Sequence, residues 1–589
     1  MPVKERIVRI DMKTLQVSEE PVPDRWSALG GRALTSAIVS EEVSPTCTPL
    51  GPANRLVFAG GLLTGSSAPA AGRLSVGAKS PLTGTIKESN AGGQAGQILA
   101  RLGIRALIVE GKPEDATTVY TLELRKGSIR LVESPDLRGL GNYDTVARLV
   151  EKYGDKKLAF ITIGMAGEWG LTAASVAVTD RELRPTRHAG RGGLGAVMGS
   201  KGLKAIFLDD SETKGREPLD RDAFRTACRK FAKALKEHPV TGEGLPAYGT
   251  NVLTNILNEA GGLPTRNFRE GSFAGAPKIS GEAMHDLIKA RGGEGKLPHG
   301  CHSGCVIQCS RIFADKDGNY KSKGPEYETV WSHGTNCLID DLDAIAEMDY
   351  LDDDIGLDTI EMGATIGVAM EAGVAKFGDA DAAIGLLHEV RKGSPLGRIL
   401  GCGAKVAGQC FGVDHVPVVK GQAMPAYDPR AVQGIGVTYA TSTMGADHTA
   451  GYAIATNILK VGGYVDPLKP DGQVELSRNL QIATAAIDAT GLCLFVAFAV
   501  LDKPEAFEAI YEMLNAFYGW SLGPDDVAAL GKQVLSAERR WNRAAGFTNA
   551  DDRLPDWMRV EALSPHNTVF TVTDEELDRV YDFVEGGTS

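Results

Sequence analysis

The chain has 589 residues, 43% of them hydrophobic, with a formal net charge of -12 and nine cysteines. That length allows several domains around a large core, and the acidic balance, without a Lys/Arg stripe interleaved with aromatics, excludes a nucleic-acid surface. So few cysteines in such a length exclude a small disulfide-stapled scaffold, the longest apolar stretch (492–501) is too short to span a bilayer, and the start MPVKERIVRIDMKTLQV has no apolar signal core and no twin-arginine pair, so a reducing cytoplasm is expected.

The first third reads as β-rich. Strand-length apolar or alternating runs stand at 6–12, 55–61, 106–111, 118–124 and 129–134, the last two joined by a turn at Lys126-Gly127. Helices are few there, the clearest at 94–102 and 143–153. A polar run, DDSETKGREP (209–218), then marks a domain junction. Beyond it apolar residues recur at i, i+3/i+4, predicting helices at 222–238, 279–290, 344–351, 359–377 and 504–517. No period of 20 to 50 residues is visible, which excludes a solenoid.

Glycine, at 71 residues, is the compositional outlier, clustered where backbone must approach something closely. Arg73 lies in AAGRLSVGAKSPLTG, Asn90 in ESNAGG, and Arg187 and Arg191 in RHAGRGGLGAVMGSKG. Guanidinium groups and backbone amides gathered among small residues suit phosphate. GRGGLG follows no long apolar strand and has no acidic residue at the expected distance, so a dinucleotide fingerprint is discounted.

In CHSGCVIQC, Cys301, Cys305 and Cys309 stand at four-residue intervals, and Cys493 follows far downstream in DATGLC. Four thiolates so placed suit one iron-sulfur cluster, hence electron transfer. Cysteines at i, i+4, i+8 could instead line a packed helix or hold zinc. Gly304 breaks the helical pattern and His302, Ser303 and Gln308 are polar, which makes a ligand loop the better reading. Cys47, Cys228, Cys337, Cys402 and Cys410 stand singly, as reduced core cysteines do.

The segments 353–358 (DDIGLD) and 488–493 (DATGLC) share the form D-x-x-G-L-(D/C). Each ends a helix-like stretch, where the glycine can take φ > 0 and the aspartates can accept hydrogen bonds from an amino-substituted heterocycle. A single such element reads as an ordinary helix end. Two, one of them carrying the fourth cysteine, read as paired binding turns.

Taken together, GGRALTS, AKSPLTG, ESNAGG, GRGGLGAVMGSK, the cysteine triplet, GPEYET and both DxxGL elements resemble, in the same order, the tungsten-dependent aldehyde:ferredoxin oxidoreductase family. The resemblance covers essentially the whole chain. It implies an α+β fold: an N-terminal β-sheet base domain for a bis-pterin cofactor (1–210), followed by two mainly α-helical domains (211–415 and 416–589). It implies a tungsten bis-pyranopterin, with molybdenum as the other metal the same dithiolenes would take, and one [4Fe-4S] cluster on Cys301, Cys305, Cys309 and Cys493. Asp353 and Asp358 would contact one pterin and Asp488, with Leu492 in its turn, the other. Cys493 would bridge pterin and cluster, and Arg73 would lie between them. Asn90 and the backbone of Ala189 would hold Mg2+ at the pterin phosphates. His448, in STMGADHTAG, and either Glu326 or Glu328 of GPEYET would be catalytic; the altered spacing of the triplet leaves the two glutamates unseparated, with Glu326 slightly favoured.

The implied reaction is oxidation of an aldehyde to a carboxylic acid, with electrons leaving through the cluster to ferredoxin or to iron-sulfur or flavin partner subunits in an oligomer or hetero-complex. Two departures stand out. The triplet is C-x3-C-x3-C where related archaeal enzymes have C-x2-C-x3-C, and Glu347 is followed by Tyr350 where some members place the histidine of an inter-subunit iron site, so no such iron is expected. A radical-SAM enzyme is the rival with a cysteine triplet, but its spacing and its aromatic before the last cysteine are missing. The other readings are a relative that reduces aromatic thioesters and an iron-sulfur scaffold without catalysis.

Overall fold

The computed structural model describes residues 5–155, 158–213 and 215–584. The chain first lays down β1 (Arg6–Asp11), β2 (Gln16–Pro21), β3 (Leu56–Gly60), β4 (Leu74–Lys79), β5 (Ile86–Ala91) and β6 (Ile104–Glu110), which pair in the order β2-β1-β6-β3-β4-β5. It then repeats the plan with β7 (Tyr120–Arg125), β8 (Ser128–Glu133), β9 (Leu158–Thr162), β10 (Val176–Val178), β11 (Arg187–Ala189) and β12 (Leu203–Asp209), in the order β8-β7-β12-β9-β10-β11. In each sheet one pair is parallel, β1 with β6 and β7 with β12, and the remaining pairs are antiparallel.

The apolar faces of the two sheets share one core, in which Val8, Ile10 and Leu107 of the first meet Leu122, Ile161 and Ile206 of the second. Val, Ile, Leu and Phe fill the central strands β3, β9 and β12 because both their faces are covered. The outer strands β2 and β8 alternate instead, and Gly127 turns between β7 and β8 with φ +71°.

The strands expected at 6–12, 55–61, 106–111, 118–124 and 129–134 are all present. Sequence reading missed β5 because IKESNA is polar, although five of its six residues are buried. It also missed the helix Gly31–Glu42, eight of whose residues are buried, so that no polar face makes a stripe.

After residue 218 the architecture is helical, as expected. Arg221–Glu237 is capped by Asp220, whose carboxylate accepts from the amides of Asp222 and Ala223, and Leu342–Ile355 is capped in the same way by Asp341. Thr359–Glu371 ends before the expected limit at 377, because Gly373 leaves the helix with φ +77°. Two long helices, Gln473–Thr490 and Pro524–Ala544, pack on each other and on Gly31–Glu42, which itself lies across β3, β4 and β5. Glu347 pairs with Lys321, and Tyr350 stacks on Tyr143 at 4.5 Å.

Candidate active site

Both D-x-x-G-L elements are helix C-termini seated on the sheets. Leu342–Ile355 is followed by Gly356 at φ +83°, and Gln473–Thr490 by Gly491 at φ +80°, the left-handed conformation that the sequence pattern anticipates. The second element sits on the first sheet: the amides of Leu62 and Leu63, just past β3, donate to the carbonyls of Ala489 (3.1 Å) and Thr490 (2.8 Å), and that of Arg73 to Gly491 (3.1 Å). The first element sits on the second sheet, where Ser175 N donates to Gly356 O (2.9 Å) and Asp358 N to Ala173 O (3.0 Å). Contact is backbone to backbone. A Cβ on Gly61 would lie 2.0 Å from Gly491 N, and one on Gly164, just past β9, would lie 2.1 Å from Ile355 O.

Between these turns lies a cavity of ≈ 420 Å³. Its walls carry Arg73, Asn90, Arg187, Arg191, Asp353, Asp358 and Asp488 together with Cys301, Cys309, Cys493, Glu326, Glu328 and His448. Leu492 and Ala189 are fully buried and are not on that wall.

The carboxylates are individually clamped. Asp353 accepts from Lys323 Nζ at 2.8 Å and pairs with His188 Nε2 at 3.1 Å; burial alone would raise its carboxyl, but the Lys323 ammonium and the contact with His188 hold it below the usual range. Lys323 also reaches Asp349 at 2.5 Å. Asp358 caps Thr359–Glu371 through Ile360 N (3.1 Å) and accepts from Arg191 Nε (3.2 Å), while Arg191's other nitrogens donate to the carbonyls of Ala446 and Ala423, both at 2.6 Å. Asp488 lies 3.5 Å from Arg32, which is itself bidentate to Glu538 at 2.9 and 2.8 Å. Burial pushes the Asp488 and Glu88 carboxyls upward, with the charge of Asp447 adding to the first and that of Asp488 to the second.

The cysteine triplet forms an irregular segment between β13 (Lys296–His299) and β14 (Ser310–Ala314) rather than a helix, with Gly304 at φ +86°. The ligand atoms of Cys301, His302 and Cys305 lie within 4.8 Å of one another, and Cys305 Sγ accepts from the Gln308 amide at 3.3 Å. Cys309 and Cys493 face the same cavity as Cys301. A hydrogen bond from Cys305, reinforced by Arg187 and Arg73, draws the Cys301 thiol well below its ordinary range. Arg73 donates to Asn90 and approaches Cys301 across Gly92.

Glu326 and Glu328, two residues apart in sequence, face different surroundings. Glu326 precedes the helix Tyr327–His333, accepts from Thr250 Oγ1 at 2.6 Å and stands 4.0 Å from Arg187, on the cysteine side. Glu328 lies in the first turn, accepts from Ala426 N at 3.0 Å with one oxygen and faces His448 Nε2 at 3.4 Å with the other. Burial pushes the Glu328 carboxyl up to about 8 and the His448 imidazole down to about 4, so both are neutral near pH 7. His448 opens a short 3₁₀ turn capped by Asp447, whose carboxylate accepts from Thr449 N at 3.0 Å and pairs with the fully buried Lys87 at 3.2 Å.

Several buried polar atoms at this site have no hydrogen-bond partner within the protein. Arg187 Nε and Nη2 and Asn90 Nδ2 are buried donors, and Glu88 Oε1 and Glu328 Oε1 are buried oxygens. Donors without acceptors beside three cysteines fit an anionic, phosphate-bearing group next to a metal cluster. Lys323, His188, Arg32, Glu88 and Lys87 escaped sequence reading. Lys323 and His188 stand directly beside GPEYET and Arg187, but isolated Lys and His residues carry no pattern, and only the fold turns them inward.

Comparison with known proteins bears on the whole chain. Residues 7–210 match the family model described as aldehyde ferredoxin oxidoreductase, N-terminal domain, and residues 226–585 the one described as aldehyde ferredoxin oxidoreductase, domains 2 & 3. The tungsten-containing aldehyde ferredoxin oxidoreductase of Pyrococcus horikoshii is 36% identical over 98% of this chain and 95% of its own. The WOR-like subunit of the aliphatic sulfonate oxidoreductase of Pyrococcus furiosus is 26% identical over 90% of this chain and 84% of its own. Among solved structures, the active site complex BamBC of benzoyl coenzyme A reductase, in complex with 1,5-dienoyl-CoA, superposes with a TM-score of 0.80 over 100% of this chain and 94% of its own, at 18% identity, a likeness of fold.

Proposed function

Since the chain belongs to the aldehyde ferredoxin oxidoreductase family and is an oxidoreductase, we propose that it oxidises aldehydes to carboxylic acids at a tungsten bis-pyranopterin and passes the electrons through one [4Fe-4S] cluster. The observation that carries this reading is the meeting, on one cavity wall, of both DxxGL carboxylates, three cysteines and the Glu328–His448 pair. Asp353 and Asp358 hold one pterin and Asp488, with the Leu492 turn, the other. Arg187, Arg191, Asn90 and the Ala189 backbone take the phosphates and their Mg2+. Cys301, Cys305, Cys309 and Cys493 hold the cluster, with Arg73 beside it. When bound, the tungsten centre supplies the two-electron redox chemistry and the cluster the single-electron exit.

The protein's own part is proton management. Glu328 Oε1, free of any internal hydrogen bond, takes the proton from the water that adds to the aldehyde carbonyl, and the neutral His448 hydrogen-bonds the carbonyl oxygen. A carboxyl raised by burial is a stronger base once ionised than an exposed one. The geometry favours Glu328 over Glu326, because Glu326 is spent on Thr250 and Arg187. The carboxylic acid product leaves, with two electrons and two protons released per turnover.

No helix among the described residues is long and apolar enough to cross a membrane, and none of the nine cysteines is joined in a disulfide; the proposal places the protein in the cytoplasm, with ferredoxin or an iron-sulfur or flavin partner subunit as acceptor. The family-model limits at 210 and 226 support the first of the proposed domain boundaries, with the second at 415. Plasma mass spectrometry on anaerobically purified protein, from a host able to make the cofactor, tests the reading. About one tungsten or molybdenum and about four iron atoms per chain are expected, together with aldehyde-dependent reduction of ferredoxin or a viologen. Iron without either heavy metal, and no aldehyde turnover, would overturn it.

A further inference from the structure

The cavity wall has two chemically distinct parts. Its cations, Arg32, Arg73, Arg187, Arg191 and Lys323, come from the sheet region and from the loop before GPEYET. The part contributed by 494–501 is different: Leu494, Phe495, Ala497, Phe498, Val500 and Leu501 are all apolar, and Leu501 is 36% exposed, so this wall reaches solvent.

A line of aromatic rings joins that wall to the catalytic pair. Tyr427 lies 5.8 Å from His448, Tyr452 stands edge-on to His448 at 6.1 Å, Phe498 stands edge-on to Tyr452 at 6.0 Å, and Phe495 stacks on Phe498 at 6.3 Å. The phenol hydroxyls are already committed: Tyr427 and Tyr452 bond each other at 2.9 Å, and the nearby Tyr327 donates to Ala426 O at 2.8 Å. Ring faces and edges are therefore what the tyrosines offer a guest. No lysine or arginine stands on the wall between 494 and 501 to neutralise a phosphate or carboxylate on the substrate.

We propose that the substrate is an aromatic aldehyde, its ring packed against the edge-to-face pair Tyr452 and Phe498 on the cavity wall and its carbonyl at Glu328 and His448. This rests on the aldehyde-oxidising reading above. Edge-to-face and offset contacts give an aryl guest an advantage over an alkyl chain of equal area, and the unneutralised wall rejects charged aldehydes.

The test is kcat/KM of the metal-loaded enzyme with benzaldehyde, hexanal, acetaldehyde and glyceraldehyde 3-phosphate, read as benzyl viologen reduction. Benzaldehyde is expected to exceed acetaldehyde by at least roughly tenfold and hexanal by several-fold, with glyceraldehyde 3-phosphate the poorest. In Phe498→Leu, which keeps apolar bulk but removes the ring, the benzaldehyde-to-acetaldehyde ratio should narrow several-fold. In Tyr452→Phe, which keeps the ring, it should hold. If hexanal, acetaldehyde or the phosphorylated aldehyde is turned over as well as benzaldehyde, this inference falls while the aldehyde reading stands. If a protein with its full complement of tungsten and iron oxidises none of the four, the proposed function itself fails and takes this inference with it.

Discussion

Replacing Glu328 with Gln isolates proton transfer from packing. The amide has the same shape as the carboxylate, and its oxygen can still accept from Ala426 N, a bond of 3.0 Å in the native protein. What the substitution removes is the ability of the oxygen facing His448 at 3.4 Å to take a proton. Loss of a positioned general base typically costs about 10²–10⁴-fold in rate, and the fold should survive unchanged. The pH profile carries a second signature. Burial pushes the Glu328 carboxyl up to about 8; a base acts only when ionised, so activity is low below that value and rises through it. About one-tenth of the groups are ionised at about pH 7 and about nine-tenths at about pH 9, so kcat/KM should climb roughly ninefold across that interval.

His448, lowered to about 4 by burial, stays neutral throughout and adds no step. The assay is steady-state kcat/KM for aldehyde-dependent viologen reduction, with metal content measured on each preparation. Glu326→Gln serves as the comparison and should lose far less, because Glu326 is engaged by Thr250 at 2.6 Å. A Glu328→Gln enzyme that kept its rise with pH, or a Glu326→Gln enzyme that lost more activity, would refute the assignment.

Two further substitutions test how the site is held. Gly61→Ala would bring a methyl carbon 2.0 Å from Gly491 N; because only backbone could yield, we expect destabilisation of about 4 kcal/mol or more, seen as a lowered Tm and as iron lost from purified protein. A wild-type Tm and iron content would show that the turn is not seated on β3 as described. Lys87→Met strands the buried Asp447 carboxylate, now 3.2 Å from the Lys87 ammonium, and breaking a buried pair costs roughly 3–5 kcal/mol. Since Asp447 caps the turn that begins at His448, thermal stability and kcat should fall together; a stable variant whose activity alone was lost would give Lys87 a role other than anchoring that turn.

The legible parts of this site are those whose chemistry is local. Gly304 among polar neighbours foretold the loop at the cysteines, and the glycine of each D-x-x-G-L element foretold a left-handed helix end, because positive φ is a property of a single residue. Choosing between Glu326 and Glu328 was beyond any spacing rule. Two residues apart at the mouth of one helix, they point to different neighbours, and only the tertiary position of His448, 120 residues on from Glu328, separates them. β5 was hidden for the opposite reason: its lysine and glutamate are buried, the lysine paired with Asp447 from a distant segment, so its polarity misleads.

The duplicated sheet plan was equally invisible, since strand order is written in backbone hydrogen bonds and leaves no repeat in side chains. Yet that duplication sets the site. Each sheet seats one D-x-x-G-L turn just past its own third or ninth strand, at Gly61 and Gly164, where a side chain would not fit. The separation of the two D-x-x-G-L turns is therefore fixed by how the sheets share their core, and the helical segments deliver carboxylates and a thiol to positions the sheets have already determined.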